Sequence, residues 1–137
     1  MMRKIGLDIG DVRIGIAVSD ILGCIAGAHE TYTRKGLKQD MEYFAGLIKA
    51  QQADTVVLGL PINMDGTEGK RVEIVKAFAG ELGKYTDAKI VFQDERLSTV
   101  SAERMLIEAD MRREKRKEVI DKVAATIILQ SYLDYKL

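Results

Sequence analysis

Lys4-Ile5-Gly6-Leu7-Asp8-Ile9-Gly10 is the stretch on which the fold turns. Ile5, Leu7 and Ile9 alternate with Lys4, Gly6, Asp8 and Gly10, which is the period of a strand with one apolar face and one face bare except for a carboxylate. Gly10-Asp11-Val12-Arg13 carries turn chemistry. Ile14-Gly15-Ile16-Ala17-Val18-Ser19 then repeats the alternation, with Ile14, Ile16 and Val18 on one side and Gly15, Ala17 and Ser19 on the other. Two such strands side by side predict a shallow floor of small residues beside Asp8, where a metal ion or a phosphate backbone can approach the main chain. The plainer alternative is a carboxylate that merely ends a strand next to a glycine turn, and the hairpin alone does not separate the two.

Outward from the hairpin, Asp20-Ile21-Leu22-Gly23 leads into a third strand over Gly23 to Thr33, and short connections make the three an antiparallel meander. The period then changes. Leu37, Met41, Phe44, Ala45 and Ile48 share one helical face, closed by Gln51-Gln52 and Asp54. Thr55-Val56-Val57-Leu58-Gly59-Leu60 is a continuous apolar run, as expected of a strand buried on both faces in the parallel part of a sheet, and Pro61, the only proline, ends it. After a polar loop over 62–69, Val72, Val75, Phe78, Ala79 and Leu82 mark a second helix. Lys70 and Arg71 fall in its first turn, where the helix dipole disfavours cations; an anion to be met would explain them, and two solvated side chains are the alternative.

Lys89-Ile90-Val91-Phe92-Gln93 predicts a fifth strand running into Asp94-Glu95-Arg96-Leu97-Ser98-Thr99, and carboxylates beyond the end of a parallel strand stand where open α/β sheets place their sites. The Ser/Thr pair can cap a helix whose buried stripe is Ala102, Met105, Leu106 and Ala109. Arg112-Arg113-Glu114-Lys115-Arg116-Lys117 is the one dense basic run, either a solvated loop between helices or a phosphate-binding patch. A last helix is expected from about Glu118 to Tyr135. In it Asp121 lines up with Ala125, Ile128 and Tyr132 on the apolar stripe, so its carboxylate needs a partner. The whole predicts one α/β domain over 1–137, with a mixed five-stranded sheet of three antiparallel and then parallel strands flanked by helices.

Composition narrows the function. Lys plus Arg and Asp plus Glu number 21 each, so the net charge is zero and any nucleic-acid surface must be a local patch. A single cysteine, Cys24, forms no internal disulfide and is expected as a small core residue. The single histidine, His29, leaves no zinc site to assemble and is expected to pack or to face solvent. The start runs into a strand without an apolar leader, and no apolar stretch approaches the roughly 18 residues of a membrane span. A reduced, cytoplasmic protein without a membrane partner is expected.

Asp8, Glu95 (or Asp94) and Asp121 together have the logic of a carboxylate cluster for hard divalent cations, Mg²⁺ or Mn²⁺, which relieve mutual repulsion and assist phosphodiester hydrolysis. At full length the chain resembles the YqgF/RuvX family of the ribonuclease H-like superfamily, known both as Holliday junction resolvases and as nucleases of the 5′ end of pre-16S rRNA. The resemblance is carried by Gly6-Leu7-Asp8-Ile9-Gly10 with Arg13 to Asp20, by Gly59-Leu60-Pro61 with Asn63 to Thr67, by Asp94 to Thr99 with Ala102-Glu103, and by Lys117 with Asp121-Lys122, Ala124-Ala125 and Ile128 to Gln130. It implies a ribonuclease H-like fold with catalytic, metal-holding acids at Asp8, Glu95 and Asp121. It also implies nucleic-acid contacts at Arg13, Lys70, Arg71, Arg96, Arg112, Arg113, Lys115 and Arg116. The expected partner is structured RNA or branched DNA, in ribosome biogenesis or in recombination, with the protein a monomer or homodimer. Two other classes stay open. Sugar kinases and actin-like ATPases share the Asp-x-Gly hairpin but need two such domains, and a non-catalytic binding module could keep the acids for stability alone.

Overall fold

The computed structural model describes residues 2–61, 69–94 and 113–135, with backbone alone over 113–118 and at 135. In chain order the elements are β1 (Arg3–Ile9), β2 (Arg13–Ser19), β3 (Ala26–Thr33), α1 (Leu37–Ala50), β4 (Ala53–Leu60), α2 (Lys70–Leu82), β5 (Lys89–Asp94) and α3 (Arg113–Tyr135). They form one five-stranded sheet of order β3-β2-β1-β4-β5. β1 pairs antiparallel with β2 and β2 with β3, whereas β4 runs parallel to both β1 and β5.

Period-two alternation sends the two halves of each central strand to different layers. Ile5, Leu7 and Ile9 of β1, Ile14 and Ile16 of β2, and Val56 and Leu58 of β4 meet Met41, Phe44 and Ile48 of α1 and Val75, Phe78 and Leu82 of α2 in the larger core. Phe44 sits at its centre, edge-on to Phe78 at 5.7 Å between ring centroids, and full burial of a side chain of this size is worth roughly 1.5–3 kcal/mol. On the other face Ala17 and Val57 meet Ala125, Ile128, Leu129 and Leu133 of α3.

That second face corrects the expectation of an open floor. A Cβ on Gly6 would come within 2.7 Å of Leu129 Cβ and 2.9 Å of the Ala125 carbonyl, and one on Gly15 would fall on the main chain of Asp121. The missing side chains admit the backbone of α3, not a ligand.

Three further expectations change. The third strand begins at Ala26 rather than Gly23, because the Asp20 carboxylate accepts from the N–H groups of Cys24 and Ile25 and, with Gly23 at φ 71°, holds these residues in a turn. Cys24 is therefore exposed, not in the core. The last helix starts before Glu118: α3 is already helical at Arg113, so residues 113–117 of the basic run are helix, since Arg, Lys and Glu favour helix and neither Gly nor Pro interrupts 113–135. His29 lies exposed on β3. Among the described residues no helix is long and apolar enough to cross a membrane.

Candidate active site

Asp8 of β1 stands directly opposite Gly15 of β2. Facing residues of an antiparallel pair project to the same side, so the Asp8 side chain and the vacant side-chain position of Gly15 share the α3 face. The Asp121 main chain fills that vacancy. The carboxylate of Asp121 is oriented by Arg13, whose Nε donates to Oδ2 at 3.0 Å. Among the described residues this is the one hydrogen bond to that carboxylate, and it supplies the partner that an acid on the apolar stripe requires. Asp8 itself is half-buried.

The register decides which acid of β5 could join them. Leu7 of β1, Leu58 of β4 and Phe92 of β5 form one row across the sheet, so the carboxyl ends of all three strands lie together. Ile90 packs into the α1/α2 core and Val91 against the α3 cluster, so alternation puts Asp94 on the side of Ile90, away from Asp8. Glu95, Arg96 and Arg112 lie outside the described residues. Among the described residues no three acids gather into a cation site.

The turn between Asp8 and Arg13 is held from outside by arginines. Arg71 donates Nη2 to the Ile9 carbonyl at 3.2 Å and stands 3.7 Å from Asp11, so it reaches back to the hairpin rather than lying along its helix. Arg34, which has no mark in the sequence, donates its main-chain N–H to Val12 O at 2.8 Å and Nη1 to Gly10 O at 3.3 Å. Its Nε meets Asp40 Oδ2 at 3.1 Å, and its guanidinium lies over the Phe78 ring. Asp40 is fully buried and also accepts from Tyr32 Oη at 2.8 Å and from the Lys35 N–H at 2.9 Å. Burial pushes the Asp40 carboxyl up, but these donors outweigh it and leave it below its ordinary range. Burial, with the bond to Asp40, raises the Tyr32 phenol to about 12. The one signal in the sequence was an acid, Asp40, at a helical position next to Met41 on the apolar face.

Lys70 is exposed at the start of α2. Arg113, Lys115 and Arg116 occupy the first turns of α3, five to eight residues before Asp121, which at 1.5 Å per residue is about 8–12 Å along the axis.

A sheet of this order with helices on both faces is the ribonuclease H-like fold, here in a hydrolase of phosphodiester bonds. The chain belongs to the RuvX family: the family model, described as "Holliday junction resolvase", matches residues 2–135. It is 53% identical over 135 residues to the "Putative pre-16S rRNA nuclease" of Carboxydothermus hydrogenoformans, covering 98% of each chain. It is 52% identical to the protein of the same name from Halothermothrix orenii, covering 98% of this chain and 96% of the relative. In three dimensions it is similar to Thermus thermophilus RuvC solved with a Holliday junction substrate, with TM-score 0.60 at 11% identity, 99% of this chain and 96% of that one. It is also similar to the Fowlpox virus resolvase solved with junction DNA, with TM-score 0.61 at 14% identity and 99% of each chain. At such identities these two structures speak for the fold.

Proposed function

We propose that this protein is a metal-dependent nuclease that processes the 5′ end of precursor 16S rRNA in the cytoplasm. The observation that carries the reading is that Asp8 and the main chain of Asp121 meet at Gly15, in a chain about half identical to relatives named for that activity. The donor set suits Mg²⁺ or Mn²⁺. Both side chains offer hard oxygens, and Asp121 already takes a cation, the guanidinium of Arg13, whose place a metal would contest. Asp8, Glu95 and Asp121 would hold the metal. Its chemistry, when bound, is to lower the pKa of water and to offset charge on the leaving oxygen.

The chain's own residues do the rest. Arg13 orients the Asp121 carboxylate, and its remaining guanidinium donors suit a phosphate oxygen. Lys70 and Arg71 of α2, Arg96 and the basic run Arg112, Arg113, Lys115 and Arg116 position the phosphates. Phosphate contacts carry little sequence information, so the shape of a folded RNA decides what is cut. The test is cleavage of labelled precursor RNA and of four-way junction DNA, with and without Mn²⁺, by wild type and Asp8→Asn. RNA cleavage that needs Mn²⁺ and Asp8 supports the proposal. Cleavage confined to junction DNA transfers the same site to recombination, and binding of either without cleavage leaves a binding module.

A further inference from the structure

We infer that Arg34, locked by buried Asp40, is a positioning residue for the site, because together they fix the turn that joins Asp8 to Arg13. This rests on the proposal that Asp8 and Asp121 do the chemistry, and it assigns a role to a pair that touches neither.

Gly10-Asp11-Val12 lies between the strand that carries Asp8 and the residue that orients Asp121. A hairpin tip is ordinarily among the first parts of a domain to open locally. Here the carbonyls on either side of Asp11 are both taken by one residue, Gly10 O by Arg34 Nη1 and Val12 O by the Arg34 N–H. Arg71 adds a bond to Ile9 O, but its side chain is 54% exposed. That of Arg34 is 21% exposed and that of Asp40 1%. The path of support runs from α1 through Asp40 and Arg34 to the turn, and so to the residues that flank it.

Two physical points favour positioning over stability alone. Removing an ion pair from water costs about as much as the pair returns, so a buried Arg–Asp bond is a poor way to gain net stability. The task also requires arginine: Nε is committed to Asp40 while Nη1 reaches Gly10 O, two donors in one rigid plane, and a lysine has a single nitrogen for both. Displacement of a reacting group by about 1 Å can cost on the order of a hundredfold in rate, so a turn held in place has a direct kinetic value.

The test is Arg34→Lys, with Asp40→Asn as a second variant that keeps the shape of the carboxylate but loosens its hold on Nε. Three readouts are taken well below the melting temperature: hydrogen exchange of the Gly10 amide, which donates to Arg13 O at 2.9 Å, the Mn²⁺ concentration that half-saturates the thermal shift, and kcat and KM on the substrate wild type cuts. Arg34→Lys should speed Gly10 exchange at least about tenfold with α1 amides unchanged, shift the half-saturating Mn²⁺, and lower kcat about tenfold or more with KM within about twofold. Asp40→Asn should move the same readouts less. Wild-type exchange at Gly10 in both folded variants, or wild-type kcat despite faster exchange, overturns the inference. If wild type cuts nothing, the nuclease proposal fails by itself, and exchange with Mn²⁺ half-saturation still decides whether Arg34 positions the turn.

Discussion

The main chain of Asp121 occupies the space that a side chain on Gly15 would fill. Because Gly15 is the cross-strand partner of Asp8, the closeness of two acids 113 residues apart depends on a glycine. Gly15→Ala should push α3 off the sheet and destabilise the fold by about 1–3 kcal/mol, the usual range for overpacking. Gly46→Ala is the matched control: its Cβ meets nothing within 4 Å and lies in mid-helix, so it should stabilise by about 0.5–1 kcal/mol. Urea denaturation of the two variants checks both signs.

Asp8→Asn should fold normally, since it changes charge at nearly constant volume, and still bind nucleic acid. It should cleave at least ~10²-fold more slowly, a loss of about 2.7 kcal/mol in transition-state stabilisation. A purely structural Asp8 gives the reverse, a lower melting temperature with unchanged activity per folded molecule.

A metal ion held by Asp121 would compete with Arg13 for its carboxylate. Millimolar Mn²⁺ should raise the melting temperature by mass action on the folded state, and the Asp8→Asn, Asp121→Asn double variant should lose that shift. Arg13→Met should keep the shift and reach half-saturation at lower Mn²⁺, while losing affinity for nucleic acid. Thermal-shift titrations and filter binding measure the two effects separately, and an unchanged shift in the double variant removes the metal from the site.

The Tyr32–Asp40–Arg34 network predicts both arms of the pH–stability curve. Folded Asp40 releases its proton more readily than the unfolded residue with its ordinary value of 3.8. Its contribution is therefore complete above that value and lost as pH falls through and below it. Folded Tyr32 keeps its proton up to about 12 against 10.0 when unfolded, so its contribution is complete below pH 10 and lost between pH 10 and about 12. Asp40→Asn should flatten the acid arm and Tyr32→Phe the alkaline arm of melting temperature against pH.

Replacing Arg112, Arg113, Lys115 and Arg116 with Ser should weaken binding to RNA and junction DNA alike. It should also flatten the slope of log affinity against log salt, by about 0.7–0.9 for each phosphate that the run neutralises. Unchanged affinity and slope would reduce the run to a solvated helix surface.

Among the described residues the sequence by itself determined the order of elements and their faces, because strand and helix periods are local. Ile5, Leu7 and Ile9 against Gly6 and Asp8 announce a two-sided strand, and the run from Thr55 to Leu60 a strand buried on both sides. It also marked Asp8 and Asp121 as acids out of place in apolar patterns. Only the tertiary structure decided what the glycines serve, since bare floor and helix seat look alike until α3 is docked on Gly6 and Gly15. Only it paired Arg13 with Asp121 and turned Asp94 away from Asp8, because ion pairs and sheet register join residues with no local signature in common. Arg34 is silent in the sequence for the same reason: its role lies in the carbonyls it reaches, and those are set by where the chain returns, not by which residues it contains.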